Sequence, residues 1–150
     1  MDKQLTLQDY RNKIANLHCA HVHGKRILAK PILILAVIQS IEDGVVKKNE
    51  IPWGETSKIF SYIKQTYEEL FIGYLPNEYH TPIFKPFYHL KFDGFWHLKL
   101  NKEVDYPKAS QTGFLNKYLD YAYFDEFLWT ILQDVAKRNC LREEIISQYL

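Results

Sequence analysis

Seven consecutive apolar residues, Ile32-Leu33-Ile34-Leu35-Ala36-Val37-Ile38, follow Pro31 and constrain this chain more than any other feature. Proline suits the first position of a helix, where its missing N–H has no intrahelical partner to lose. The stretch Ile32 to Glu42, closed by Gly44, therefore reads as a helix. A helix apolar nearly all round has no face to offer water and must lie at the centre of the fold. The run from Pro31 to Ile38 is also far too short to cross a bilayer. The remaining elements have to be arranged as a shell around one buried rod.

Candidates for that shell follow in order. Thr6 is an N-cap residue, and Leu7, Tyr10, Ile14 and Leu17 recur at helical spacing, predicting a helix over Leu7 to Cys19. His21 to Arg26 reads as a polar, turn-prone link. Val45-Val46 reads as a short strand or bulge. A third helix is expected near Thr56 to Phe71, with Ile59, Tyr62, Ile63, Tyr67, Leu70 and Phe71 on one stripe. Pro76, Pro82 and Pro86 punctuate a loop from Leu75 to Pro86. Phe87 to Lys91 and Phe95 to Leu100 alternate on either side of Asp93-Gly94, the strongest hairpin signal in the chain. Asn101 to Thr112 is loop. Asp125 is placed to cap a helix bearing Leu128, Ile131, Leu132 and Val135, and Asn139 a last one bearing Leu141, Ile145, Ile146 and Tyr149. The class expected is α+β, mainly helical. About five helices surround the buried central one, with a small antiparallel β-hairpin, in a single domain over residues 1–150.

Charge is distributed unevenly despite a formal net value of +1. Residues 1–48 hold eight Lys/Arg against four acids, and 81–108 hold five against three. Two basic segments far apart in sequence can make one cationic patch if the fold joins them. Two cysteines, Cys19 and Cys140, make no disulfide framework, and the polar opening residues carry no secretory signal, so a cytoplasmic setting is expected. Leu150 falls within an amphipathic run, which reads as a cut from a longer polypeptide.

Catalytic chemistry finds little support. His18, Cys19, His21 and His23 form a dense group of metal-ligand types, yet a structural zinc site wants four ligands, usually in two separated pairs. Asp93, Glu103, Asp105 and Lys108 loosely match the acid-acid-Lys spacing of metal-dependent nucleases, but Asp93 is better used as a turn residue. The expectation is no catalytic residues, no metal and no cofactor. A basic and aromatic surface remains. Lys25, Arg26 and Lys30 lead into a helix N-terminus, which favours anions, and Tyr79, His80, Lys85, Tyr88, His89 and Lys91 cluster further on.

Two stretches carry a resemblance: Ala29-Lys30-Pro31 with the apolar run behind it, and Pro86-Phe87-Tyr88-His89-Leu90-Lys91-Phe92-Asp93-Gly94-Phe95-Trp96. Together they resemble the DNA sulfur-binding domain of phosphorothioation-dependent restriction endonucleases, which precedes an HNH nuclease. Tyr121 to Asp125 with Leu128, and Arg142 to Ile146, resemble the closing helices of such domains. The resemblance implies a role in antiphage restriction, with double-stranded phosphorothioate DNA as partner and a nuclease domain attached or separate. With the basic and aromatic surface, it gives Arg26, Lys30, Tyr79, His80, Lys85, Tyr88 and Lys91 as the residues expected to face DNA, and it places Ala29, Lys30, Lys85, Pro86 and His89 at the sulfur pocket. Two departures stand out: Ala29 where the family often has His, and Lys85 where it often has Tyr. DNA binding therefore transfers better than sulfur specificity. Two alternatives stay open: a regulatory or protein-interaction domain of the same ancestry, and a small nuclease using Asp93, Glu103 and Asp105.

Overall fold

The computed structural model describes residues 5–150. Its architecture is α+β and mainly helical, and the apolar rod is its axis. Helix α2, Ala29–Glu42, is buried along nearly its whole length, and α3 (Lys58–Tyr74), α6 (Glu126–Gln133) and α7 (Val135–Tyr149) pack around it. It begins two residues before Pro31. That still leaves the proline within the first turn, where backbone N–H groups lack intrahelical partners. Gly44 closes the helix at φ 76°, a left-handed conformation that glycine adopts without steric cost, and Val45 N–H then returns to the Ser40 carbonyl at 2.9 Å. The buried Ser40 hydroxyl is satisfied by the Ala36 carbonyl at 2.8 Å.

Helix α1 spans Leu7–Ala15 and opens on a reciprocal capping box between Thr6 and Asp9. It stops short of the expected Cys19 because the Asn16 amide donates to the Asn12 carbonyl at 2.8 Å, a side-chain bond that competes with helix continuation. Tyr149 fastens α7 to this end of α1: its hydroxyl donates to the Ile14 carbonyl at 2.5 Å and accepts the Leu17 N–H at 3.0 Å. Helix α3 is capped by Ser57, whose hydroxyl accepts the Phe60 N–H, so it starts just after the expected Thr56. Helix α7 is capped by Asp134 rather than Asn139, which lies inside it, and Val135 opens α7 instead of ending α6. Asp125 does precede α6, but its carboxylate is taken by Tyr10 at 2.9 Å and His97 at 2.5 Å.

The β structure is where the chain departs most from the alternation pattern. Residues Phe84–His89 form helix α4 and Leu90–Asp93 a 3-10 turn, so the expected hairpin about Asp93-Gly94 does not exist. Pro86 sits in the first turn of α4, and Phe87, Tyr88 and Leu90 are all buried, a helical rather than an alternating arrangement. Gly94 at φ 85° ends the turn instead of joining two strands. Trp96–Leu100 is a strand, labelled β4, with Trp96 and Leu98 inward. Its partner is β5, Leu119–Phe124, a segment whose part from Tyr121 on the resemblance assigns to a closing helix. Strand β3, Ile51–Pro52, completes an antiparallel sheet in the order β3-β5-β4, and Val45-Val46 stays outside it. A short helix, α5 (Thr112–Tyr118), leads into β5.

A true hairpin lies elsewhere. Strands β1 (His21–Val22) and β2 (Lys25–Arg26) pair antiparallel in the stretch read as a link. His23 and Gly24 both have positive φ, 53° and 76°, which makes the two-residue turn type I′.

Ten of the 23 aromatic side chains are buried in the core. Trp96 contacts Phe87 and Phe124 edge-on at centroid distances of 5.2 and 5.3 Å, and its indole N–H donates to the Phe87 carbonyl. Among the described residues no helix is long and apolar enough to cross a membrane.

Candidate nucleic-acid interface

Lys30, at the second position of α2, organises one end of the molecule. Its ammonium donates to Asp93 Oδ2 at 2.7 Å and to the His18 carbonyl at 2.6 Å, while Asp93 Oδ1 accepts the His18 backbone N–H at 2.7 Å. The two side chains are 9% and 1% exposed. One buried ion pair thus ties together the exit of α1, the start of α2 and the end of the α4 segment. Charges taken out of water this completely must be paired, which is why both groups face inward.

The pair draws the two stretches of the sequence into one place. Ala29, Lys30, Lys85, Pro86 and His89 line a single cavity of about 530 Å³, open to solvent, with Tyr79 at its edge. His18, Cys19, Ala20, Val22, Ile27, Thr81 and Phe92 complete its walls, residues that the sequence pattern did not assign to a pocket. Only Val22 and Ile27 carried a signal, as apolar residues beside a short polar turn. Burial pushes the Cys19 thiol above its ordinary pKa, so it presents a neutral, apolar surface here.

His89 is half-buried, with its ring stacked on Phe92 at a centroid distance of 6.0 Å. Burial first, and then the charges of Lys30, Lys91 and Lys85, hold its pKa below the ordinary 6.5. At neutral pH the imidazole is therefore an uncharged ring.

The expected DNA-facing residues divide. Lys85 is exposed at the cavity, and Tyr79 is 76% exposed. Arg26 is exposed on the hairpin, its guanidinium 4.8 Å above the Tyr149 ring. Lys91 rests its ammonium 3.9 Å from the Tyr106 ring centroid and 4.4 Å from that of Phe92, a cation–π shelf that holds the charge in place. His80 is exposed against Phe71 and lies outside the cavity lining. Tyr88 corrects the sequence expectation: it is fully buried, and its hydroxyl donates to the Pro107 carbonyl, so it supports the surface from below. Lys30 is a correction too. Its charge is spent on Asp93, which leaves it a wall of the cavity and a strut rather than a free cation.

No group of three or more His, Cys, Asp or Glu side chains among the described residues could hold a metal ion. Asp93, the first member of the nuclease-like set, has both carboxylate oxygens engaged within the protein, by Lys30 and His18.

With this geometry in place, a solved structure provides a comparison. The sulfur-binding domain and SRA domain of ScoMcrA, complexed with phosphorothioated DNA, superimpose with a TM-score of 0.70 at 17% sequence identity. The likeness is one of fold. It covers 94% of this chain and 42% of the other, so the chain spans less than half of that protein's length. No family model matches the sequence, and no curated protein does.

Proposed function

We propose that this chain is a recognition module for phosphorothioate-modified double-stranded DNA, with strand cleavage supplied by an attached or separate HNH-type nuclease. The observation that carries the reading is the convergence of Ala29, Pro86 and the uncharged ring of His89 on one cavity, with exposed cations beside it. Sulfur is larger and less strongly hydrated than the oxygen it replaces, so methyl and ring surfaces favour it over phosphate. The shared fold with a chain that binds phosphorothioated DNA supports the same reading. The cavity residues hold and discriminate a backbone linkage, and the proposed role asks no catalysis of them.

Binding to duplexes that differ only in one phosphorothioate linkage, at matched salt, tests this. About tenfold preference for the modified duplex is expected, corresponding to burial of roughly 50 Å² of apolar surface at about 25 cal/mol per Å². Pro86→Ala, which keeps a residue compatible with the first turn of α4, should bring the ratio towards unity and leave affinity for plain duplex nearly unchanged. Equal affinity of the wild-type protein for both duplexes would sink the sulfur reading.

His89 adds a pH signature. Its lowered pKa means that the proton arrives only as pH falls below 6.5, and a bound polyanion favours the protonated form. Affinity for plain duplex should therefore rise from pH 7.5 to 5.5, by about tenfold for each unit that DNA raises the pKa. Preference for sulfur should shrink over the same range, because a cation no longer discriminates against the hydrated oxygen. His89→Phe should abolish the pH dependence of the sulfur preference, measured as the ratio of affinities for modified and plain duplex over that range.

A further inference from the structure

Resting on the reading above, we infer that the β1–β2 hairpin is a base-reading arm that enters the major groove of DNA whose backbone is seated at the cavity, with His21 and His23 as its specificity-determining residues. The hairpin adjoins the cavity directly, since Val22 and Ile27 form part of the lining. Alternation along a strand places His21 on the face opposite Val22, away from the cavity.

Its base is anchored at four points. The Ile27 N–H donates to the Ala20 carbonyl at 2.7 Å, Lys25 is ion-paired with Glu78, Arg26 lies over the Tyr149 ring, and Lys30 holds the His18 carbonyl. Its tip is bare. Every residue from His21 to Arg26 is exposed, and Val22 is 51% exposed although it is apolar. A two-stranded ribbon with a two-residue turn is also the shape that fits. The major groove, about 12 Å wide, admits such a ribbon, whereas the undistorted minor groove is only about 6 Å wide. Imidazole nitrogens donate or accept according to tautomer, as base edges require. His23 holds a left-handed φ of 53°, a conformation uncommon outside glycine, and this places its ring at the apex of the turn.

The test uses a pool of duplexes with one phosphorothioate linkage and randomised flanking base pairs, selected by the intact chain and sequenced. The wild-type protein should enrich particular base pairs beside the linkage by roughly tenfold, within the range of single base contacts. His23→Gly keeps a type I′ turn as Gly-Gly, so its melting temperature should not fall. It should flatten enrichment at one or more flanking positions while leaving preference for the modified linkage intact, and His21→Ala should do the same. Unchanged enrichment in both variants, or no flanking preference in the wild type, overturns the arm and leaves the sulfur reading standing. Loss of discrimination between modified and plain duplex in the wild type overturns the parent reading, and the arm with it.

Discussion

Asp93→Asn is expected to lower stability by roughly 3–5 kcal/mol, the cost of leaving one member of a buried ion pair without its partner. The amide carbonyl introduced by the substitution still accepts the His18 N–H, but Lys30 keeps its charge in a site 9% exposed, with only the His18 carbonyl as a strong acceptor. Domains of this size are stable by about 5–15 kcal/mol, so the variant should sit close to unfolding in mild urea. Lys30→Met combined with Asp93→Asn should recover most of the loss, because the uncompensated charge has gone and the Met stem refills the volume. Urea denaturation of the three proteins at one temperature measures this. A single variant within about 1 kcal/mol of wild type would place the Lys30 ammonium in contact with water, contrary to the packing described.

The second large effect is on salt. Arg26, Lys85 and Lys91 are the cations left to meet phosphates once Lys30 is assigned to Asp93. Three such contacts give a slope of about −2.7 in log affinity against log salt, or roughly a 40-fold loss between 50 and 200 mM. Alanine at any one of the three should flatten the slope by about 0.9 and weaken modified and plain duplexes alike. The Lys30→Met/Asp93→Asn double variant should leave the slope alone. If Lys30 instead reaches DNA by abandoning Asp93, the wild-type slope steepens to about −3.6 and the double variant flattens it.

How far the chain can be read without coordinates depends on which residues interact. The central helix was legible because Ile32 to Ile38 leave no polar face, a property of neighbours alone. The Thr6 N-cap, too, acts within one turn. The strand expected at Phe87 to Lys91 failed for a different reason: a short apolar alternation is compatible with either period, and the choice fell to Pro86 and the packing of Phe87 against Trp96. Strand β5 was hidden because Leu119–Phe124 becomes a strand only beside β4, about twenty residues away. The hairpin at His23-Gly24 lacked the usual Asn-Gly or Asp-Gly signal, and its base is held by distant partners, Glu78 and Tyr149.

The same division holds for the candidate site. The residue types were visible in sequence: an alanine and lysine opening the apolar helix, then a lysine, proline and histidine more than fifty positions later. Which of them confront a ligand was decided only in three dimensions. Local preference and hydrophobic period act through adjacent residues, so they determined the buried rod and its helical surroundings. Charge pairing and cavity shape act through space, so the tertiary structure alone turned Lys30 inward to Asp93, buried Tyr88, and brought Ala29 and His89 to a common wall.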